Sequence, residues 1–382
     1  MRQVRVKERQ VERMNIETMI FAYLTVCISM ILFNIACIFV FARREKNMER
    51  KSYHFEEQIR EQFMKVAKEE HIDSEHRNYL IRKMNHISNL IAFDETLDRL
   101  QKEDSENLSR YLEEVYPVFI QLSMKYQKKN ELKEAYFPYL IQKYDIIKNK
   151  RNRIINNMLL DMVKKPSLYC RENALKALYT TGNVECVMMA IRILDRSRVY
   201  HSPKLLTDGL LSFAGSHEEL TAKIWETLGE YSVEMKVTLL NYIRFQSGAY
   251  CQQMLSLLKD EGENEEVHFA CIRYLGKYPY EDAYELLIDF VNHETEYPWQ
   301  YAAIAAKVLA AYPREETILA LKERLHSHNW YVRLNASESL EHLGLSYMDL
   351  IDVFEGNDRY AREILCYRFD MRKIREKEVT AP

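Results

Sequence analysis

Histidine and carboxylate residues that could bind a metal or move a proton occur close together at two places in the sequence. The first is "EEHIDSEH", in which His71 and His76 are interspersed with four acidic residues. A metal site needs its ligands on one face, and two helical residues five positions apart lie about 140° apart around the axis. We therefore interpret this segment as a hydrophilic linker. The second is "LHSHNW", in which we expect His326 and His328 to be solvent-exposed turn residues.

Basic residues are densest in "KNKRNR", Lys148–Arg153, with Lys143, Lys164 and Lys165 nearby. Such a run could bind phosphate groups, anionic lipid or RNA, or it could be a solvated segment between helices. The net charge of the chain is −3 although 29% of its residues are charged, whereas nucleic-acid-binding proteins are usually clearly basic. We favour the solvated segment and predict that the chain does not bind nucleic acid.

Sequence motifs of the common enzyme sites are absent. There is no P-loop, no GxSxG, no HExxH and no glycine-rich phosphate loop, and the chain has 9 glycines in 382 residues. The seven cysteines are scattered without a CxxC pair, which is typical of thiols in a reducing compartment and not of a disulfide framework. The sequence thus predicts no catalytic residue, no cofactor, no metal and no evident small-molecule substrate, and a chain that is not an enzyme.

Aromatic residues are the remaining candidates for a functional role. The chain has 26 tyrosines, and tyrosine and tryptophan often form binding hot spots because they combine a large contact area with a polar group. We predict a partner-binding ridge where they concentrate, comprising Tyr278, Tyr280, Tyr284, Tyr297, Trp299 and Tyr301.

The elements that position these residues are predicted to be helices. Glycine and proline, which favour turns, number only 9 and 8, and strong helix formers are plentiful. Pro117 and Pro138 lie inside two helical patterns, where we expect kinks or early ends. Pro203 and Pro298 stand where the first residue of a helix is expected.

A long apolar segment near the N-terminus predicts a transmembrane helix. Met19–Ala42 contains no charged residue, and at ~1.5 Å per residue it is ~36 Å long, enough to cross a hydrocarbon core of ~30 Å. A buried soluble helix and a cleaved signal peptide are the alternatives, but the run is longer than a typical signal core. Five basic residues precede it and five follow closely, so charge does not decide the orientation. The unpaired thiols favour a cytoplasmic C-terminal body.

A repeated pattern begins near Arg153. The stretch "VRLNASESLEHLG" has a small residue, Ala336, three residues after Arg333 and four before Leu340. Equivalent positions recur at intervals of 30 to 35 residues, and a second apolar run follows each copy. A period in the low thirties with two helical runs per unit is typical of an α-solenoid. The equivalent positions are Ala174, Gly209, Leu239, Cys271, Ala305 and Ala336.

These copies resemble HEAT repeats, in particular the short bacterial form with V-R-x-x-A-x-x-x-L-x-x-L-G in its first helix. The stretch from Val332 to Gly344 matches that pattern at every marked position, and Cys170–Gly182 matches most of it. The resemblance implies a right-handed α-solenoid of HEAT-like helical hairpins. Together with the apolar segment, the sequence predicts an all-α fold in which one transmembrane helix precedes this solenoid. It specifies architecture better than function, because such solenoids serve very different partners.

The predicted layout has six parts. They are a basic tail (1–18), a transmembrane helix (19–42), a helical stalk (43–104), a divergent hairpin (105–152), HEAT-like repeats (153–370) and a C-terminal tail (371–382). The hypothesis we favour is a membrane-anchored scaffold that binds a membrane-associated protein partner. The resemblance makes an accessory role beside a membrane enzyme, such as a polysaccharide glycosyltransferase, one form of it. The alternatives are a HEAT-like enzyme of the lyase type and a solenoid that binds anionic lipid or nucleic acid.

Overall fold

The computed structural model describes residues 2–126, 131–148, 152–197 and 199–380, with the side chains of 18–126, 135–148, 152–197 and 199–371. These ranges contain α-helices and short 3-10 turns and no β-strand, so the predicted all-α class is confirmed. The chain divides into two compact units, Met1–Ile146 and Ile147–Pro382. The helices are α1 Arg2–Ala67, α2 Ser74–Lys83, α3 Ile87–Glu103, α4 Ser105–Tyr126, α5 Glu131–Lys143, α6 Arg153–Val163, α7 Leu168–Thr180, α8 Val184–Arg196, α9 Pro203–Leu211, α10 His217–Thr227, α11 Val233–Gln246, α12 Cys251–Leu258, α13 Glu265–Lys277, α14 Tyr284–Asn292, α15 Trp299–Val308, α16 Glu315–Arg324, α17 Trp330–His342, α18 Ile351–Phe354 and α19 Arg359–Thr380.

Helix α1 is a single element of 66 residues with two different surfaces. From residue 19 to 42 its side chains are exposed except for the half-buried Cys27 and Cys37, and the mean hydropathy of the most apolar 18-residue window is 2.6. By length and composition this part could span a membrane. The core helix of a soluble protein or a signal sequence can have the same length and composition. From Ser52 onward α1 packs in the first unit, where Phe55 and Ile59 are buried.

The first unit packs the second half of α1 against α3 and α4, with α2 and α5 completing the core. Aromatic rings form its centre: Phe93 and Phe137 each contact Phe119, and Tyr126 stacks on Phe137 with 4.7 Å between ring centroids. The sequence analysis divides this region into a stalk (43–104) and a separate hairpin (105–152). In the structure α3, α4 and α5 belong to one compact unit that ends at Ile146, and the division into six parts stays a prediction.

The second unit is built from two layers of helices. In one layer α7, α9, α11, α13, α15, α17 and α19 contact one another in that order. In the other layer α6 contacts α8, α8 contacts α10, and α14 contacts α16. Most units of the sequence repeat therefore contribute one helix to each layer, which confirms the predicted stack of helical hairpins. The right-handed twist stays a prediction.

The positions that define the sequence repeat are packing positions. Val332, Ala336 and Leu340 are fully buried in α17, and Gly344 ends this helix with φ +80°, a conformation that favours glycine. In α9 the small residue is Gly209, where an added Cβ would lie 2.7 Å from a ring carbon of Tyr179. A small side chain is thus required for adjacent helices to approach closely.

Proline and capping residues behave mostly as their types predict. Helices α4 and α5 continue through Pro117 and Pro138, so neither ends early. Pro203 begins α9, as expected, whereas Pro298 lies one position earlier than expected and forms the N-cap of α15. The Ser216 hydroxyl accepts a hydrogen bond from the backbone N–H of residue 219, which caps α10.

Two buried tyrosines connect neighbouring hairpins through their hydroxyl groups. The Tyr274 hydroxyl accepts a hydrogen bond from the Tyr250 N–H (3.0 Å) and donates one to the Ser247 carbonyl (2.8 Å). In the next hairpin the Tyr312 hydroxyl accepts from the Tyr280 N–H (3.1 Å) and donates to the carbonyl of residue 275 (3.0 Å). Each hydroxyl therefore satisfies backbone groups at the turn inside the preceding hairpin.

We predict that Tyr274→Phe and Tyr312→Phe each lower the free energy of unfolding of the second unit by about 1–3 kcal/mol, since a backbone donor and acceptor lose their partner. Chemical denaturation followed by tryptophan fluorescence measures this, because all three tryptophans lie in this unit. The matched control is Tyr280→Phe, whose hydroxyl donates only to the exposed Asp282. An equal loss in the control would contradict the proposed role of the two hydroxyls.

Candidate functional site

Four exposed aromatic side chains lie at the starts of three successive helices of one layer. Trp299 is the first residue of α15, Trp330 and Tyr331 begin α17, and Tyr360 is the second residue of α19. Their exposed fractions range from 41% for Trp299 to 65% for Tyr360. We call these four residues the aromatic row.

Ring contacts connect the first three members of the aromatic row. Trp299 and Tyr331 stack, with 5.4 Å between centroids and an interplanar angle of 17°. Trp330 meets Tyr331 edge to face at 5.1 Å. These contacts join α15 to α17 at the surface and hold large apolar faces in the solvent. Exposed rings that are already ordered lose little conformational entropy when a partner covers them.

Arg333 extends the aromatic row to the next helix. Its guanidinium lies 5.3 Å from the ring centroid of Tyr360 and also donates a hydrogen bond to the Ser327 carbonyl (2.6 Å). The arginine of the repeat motif thus hydrogen-bonds the backbone of the turn before α17, and its cation also faces an aromatic ring. The aromatic row thus combines the three contacting rings with a fourth ring, Tyr360, that faces a positive charge.

Capping explains why these rings point outward. The Asn329 side chain accepts hydrogen bonds from the N–H groups of Tyr331 and Val332, which fixes the first turn of α17. Asp358 caps α19 in the same way through the N–H of Tyr360. Since Val332 must point into the core, where it is fully buried, the two residues before it lie on the outer side of the helix.

The six aromatic residues singled out from the sequence lie in different environments. Tyr284 and Tyr301 are buried, with exposed fractions of 0% and 7%, and Tyr278 and Tyr280 are half-buried. Trp299 is the one exposed member of the six. The structure does not bring the six together on one surface, and their role as a binding ridge stays a prediction.

Tyr284, Tyr297 and Tyr301 of that set belong to two internal clusters. Tyr297 and Tyr301 both contact Phe290, at 4.9 Å in each case, and the Tyr301 hydroxyl lies 2.7 Å from Nδ1 of His268. Tyr284 packs near Tyr312 on another side of the same hairpins. Burial raises the pKa of both Tyr284 and Tyr301, so these hydroxyls stay neutral and structural.

Trp330, Tyr331 and Tyr360 belong to the aromatic row but are not among the six. The signal that could have identified the first two is their position directly before Val332, the first buried position of the clearest repeat copy. Residues there precede the packed stripe of the helix. Tyr360 follows the capping residue Asp358 and has no comparable motif around it.

The basic residues around "KNKRNR" are divided between the two units. Lys143 lies in the first unit, where its ammonium donates to Asp94 (2.8 Å) and Asp98 (2.7 Å). These carboxylates raise the pKa of Lys143. Lys164 pairs with Asp161 at 2.8 Å. Residues 149–151, the centre of "KNKRNR", lie outside the described residues.

Three of the four histidines considered as metal ligands have other partners, and the fourth, His328, is exposed. His71 lies 2.9 Å from a Glu114 carboxylate, and the His76 ring lies 2.8 Å from the Tyr111 hydroxyl. His326 lies 2.8 Å from Asp358. Among the described residues no group of three or more histidine, cysteine, aspartate or glutamate side chains is arranged to hold a metal ion.

A cavity of about 270 Å³ lies in the second unit between the end of α8 and the starts of α9 and α11. His201 lines it, with a side chain that is 4% exposed. Within the described residues neither ring nitrogen has a hydrogen-bond partner, although Nε2 lies 3.5 Å from Glu172. Burial, reinforced by the nearby Arg171, lowers the pKa of His201 to about 4. The ring is therefore neutral at pH 7.

Comparisons with known proteins give matches among solved structures. No family model matches the sequence, and no curated protein matches it. Among solved structures the chain is similar to human deoxyhypusine hydroxylase in complex with glycerol, with 14% identity and a TM-score of 0.27. The alignment covers 78% of this chain and 96% of that one. At this level the match transfers neither an activity nor a substrate.

The comparison nevertheless corrects the prediction that the chain is not an enzyme, because the matched structure is itself an enzyme. The prediction was wrong because it inferred the absence of catalysis from the absence of contiguous motifs. In an array of repeats, residues separated by more than thirty positions become neighbours, as His268 and Tyr301 do. A site assembled in this way leaves no local motif in the sequence.

Proposed function

We propose that the chain is a membrane-anchored adaptor that binds a protein partner through the aromatic row. The observation that carries the proposal is the stacked and exposed pair of Trp299 and Tyr331, continued by Trp330 and Tyr360. Binding hot spots are enriched in tryptophan, tyrosine and arginine, and Arg333 adds the third type to the same surface. Aromatic surface of this kind is stabilised when a partner removes it from water.

The anchor of the proposed adaptor is the apolar segment at residues 19–42. None of the most apolar window is buried in the protein, which disfavours a role as a core helix, and a bilayer would cover it. Confinement to a bilayer raises the effective concentration of the chain around a membrane-bound partner. We therefore propose a partner that is itself membrane-associated, such as a membrane enzyme to which this chain is an accessory subunit.

We place the folded units in the cytoplasm. Cys271 is a buried thiol and Cys366 an exposed one, and neither is in a disulfide. Unpaired cysteines persist more readily in a reducing compartment than in an oxidising one. Labelling of intact cells with a membrane-impermeant thiol reagent tests this placement, since the reagent is expected to leave Cys366 unmodified until the cells are opened.

Site-specific photo-crosslinking in cells tests the adaptor proposal directly. A photoreactive phenylalanine analogue at position 330 or 360 is expected to give one discrete crosslinked species. The same analogue at position 169 is the matched control, because Tyr169 is 73% exposed and lies in α7, outside the aromatic row. Identical products from all three positions, or none from 330 and 360, would contradict the proposal.

A further inference from the structure

Helices α1 and α3 lie side by side and run in the same direction. Ser52 lies beside Thr96 (3.3 Å between hydroxyl oxygens), and Glu56 accepts a hydrogen bond from Arg99 (2.8 Å). One turn further on, Arg60 donates to a Glu103 carboxylate (2.9 Å). These pairs are separated by 44, 43 and 43 positions in the sequence, so the two helices keep a constant register.

The same register locates the beginning of α3 at the end of the apolar segment. Offsets of 43 and 44 positions place Ile87 and Ser88, at the start of α3, level with residues 43–45 of α1. The Lys51 ammonium contacts the Ser88 hydroxyl at 2.8 Å, 37 positions away, so the start of α3 lies between the levels of residues 43 and 51 of α1. The turn between α2 and α3 therefore lies level with the charged residues that directly follow the apolar segment, residues 19–42.

The end of α4 reaches the same level. The Tyr126 hydroxyl donates to the Met84 carbonyl in that turn at 2.6 Å, so the last turn of α4 lies beside it. Near the other end of the unit, His76 at the start of α2 contacts Tyr111 of α4. Helices α2 and α4 thus run together towards the apolar segment, and the first unit has a proximal end and a distal end relative to it.

The charges of the two ends differ in sign. Exposed basic side chains gather at the proximal end, and we call them the basic rim: Arg43, Arg44, Lys46, Arg50, Lys51, Arg82, Lys83, His86 and Lys125. The exposed acidic side chains described there are Glu45 and Glu49, and the half-buried Glu95 lies level with Lys51 in the same register. At the distal end the turns between α1 and α2 and between α3 and α4 carry mainly acidic residues, which are Glu69, Glu70, Asp73, Glu75, Glu103, Asp104 and Glu106.

We propose that the basic rim docks on anionic lipid headgroups of the bilayer that holds residues 19–42. The inference rests on the proposed membrane anchor, and it adds the class of lipid and the protein surface that binds it. The proximal end of the first unit lies level with the residues that directly follow the apolar segment. In a bilayer that holds residues 19–42, this end therefore lies at the headgroups. There each basic side chain strengthens the association about fivefold when the lipids are anionic. The acidic distal end is repelled, so the unit has one preferred orientation.

Hydrogen–deuterium exchange of the full chain tests the docking. The chain is reconstituted in nanodiscs of phosphatidylcholine alone or of phosphatidylcholine with about 30% phosphatidylglycerol. We expect amides of residues 82–89 to exchange at least about threefold more slowly with the anionic lipid, and those of residues 68–75 to be unchanged. High salt removes the difference, because the Debye length falls to about 3 Å at 1 M.

Paired charge reversals give the matched comparison. The double variant Lys83→Glu and Lys125→Glu is expected to lose the lipid-dependent protection. The distal variant Lys68→Glu and Lys102→Glu, which reverses the same number of exposed lysines, is expected to keep it. If protection is equal in the two lipids and the chain also resists alkaline extraction, the docking proposal is wrong. The proposed anchor is then unaffected. A chain that is extracted overturns the anchor itself.

Discussion

Replacing Trp330 and Tyr331 together with alanine is expected to weaken binding of the crosslinked partner about 100-fold. Hot-spot aromatics contribute about 2 kcal/mol or more each, with incomplete additivity, and about 1.4 kcal/mol corresponds to tenfold in affinity. The pair fits this class because Tyr331 contacts both Trp299 and Trp330. Loss of Tyr331 also removes the stacking partner of Trp299, so the aromatic row is interrupted at its centre. Titration of the purified partner by calorimetry measures the change.

The stability of the variant separates a lost surface from a lost fold. Trp330 and Tyr331 are 52% and 55% exposed, so the double replacement is expected to leave the thermal midpoint nearly unchanged. Tyr169→Ala removes an aromatic side chain that is even more exposed, at 73%, elsewhere in the same unit, and it is expected to keep full affinity. An affinity loss of the same size in this control would show that the aromatic row has no special role.

The hairpin stack could be predicted from sequence because its packing is local and periodic. Ala174, Ala305 and Ala336 are fully buried, and each occupies the small-residue position that defines the repeat. Helices with a small residue at one place and leucine one turn later have few ways to bury both. The pattern in the sequence is therefore the same pattern that the core imposes.

The compact first unit could not be predicted in this way. It depends on pairs such as Ser52 with Thr96 and Lys143 with Asp94, which are 44 and 49 positions apart. Neither pair belongs to a repeat. The sequence around a polar residue on a predicted helix does not identify the distant residue with which it pairs. The sequence analysis consequently treats the segment from 43 to 104 as a separate stalk.

The site was the least predictable part, because tyrosine serves both cores and surfaces. Tyr284 and Tyr301 are buried with their hydroxyl groups hydrogen-bonded, whereas Tyr331 and Tyr360 are exposed. Counting aromatic residues in a window does not separate these cases. The deciding feature is the position relative to the first buried residue of each helix, and it becomes visible only after the repeat has been placed in register.

Replacing both Met30 and Ile31 with arginine is expected to release the chain from membranes. These residues lie at the centre of residues 19–42 and are 61% and 58% exposed in the protein, so in the proposed topology they face lipid. An arginine at the centre of a membrane-spanning helix costs about 2.5–3.5 kcal/mol on insertion scales, so two cost about 5–7 kcal/mol. Alkaline carbonate extraction followed by ultracentrifugation is expected to move the protein from the pellet to the supernatant.

The matched control uses the same helix outside the apolar segment. Tyr53 and Met64 are 69% and 63% exposed on α1, and replacing both with arginine adds the same charge to the same element. This control is expected to stay in the membrane pellet, because its arginines lie outside the apolar segment, residues 19–42. If both double variants remained in the pellet, the apolar segment would not be what holds the chain there. If both were released, charge alone would account for the result, and the position of residues 30 and 31 in a bilayer would lose its support.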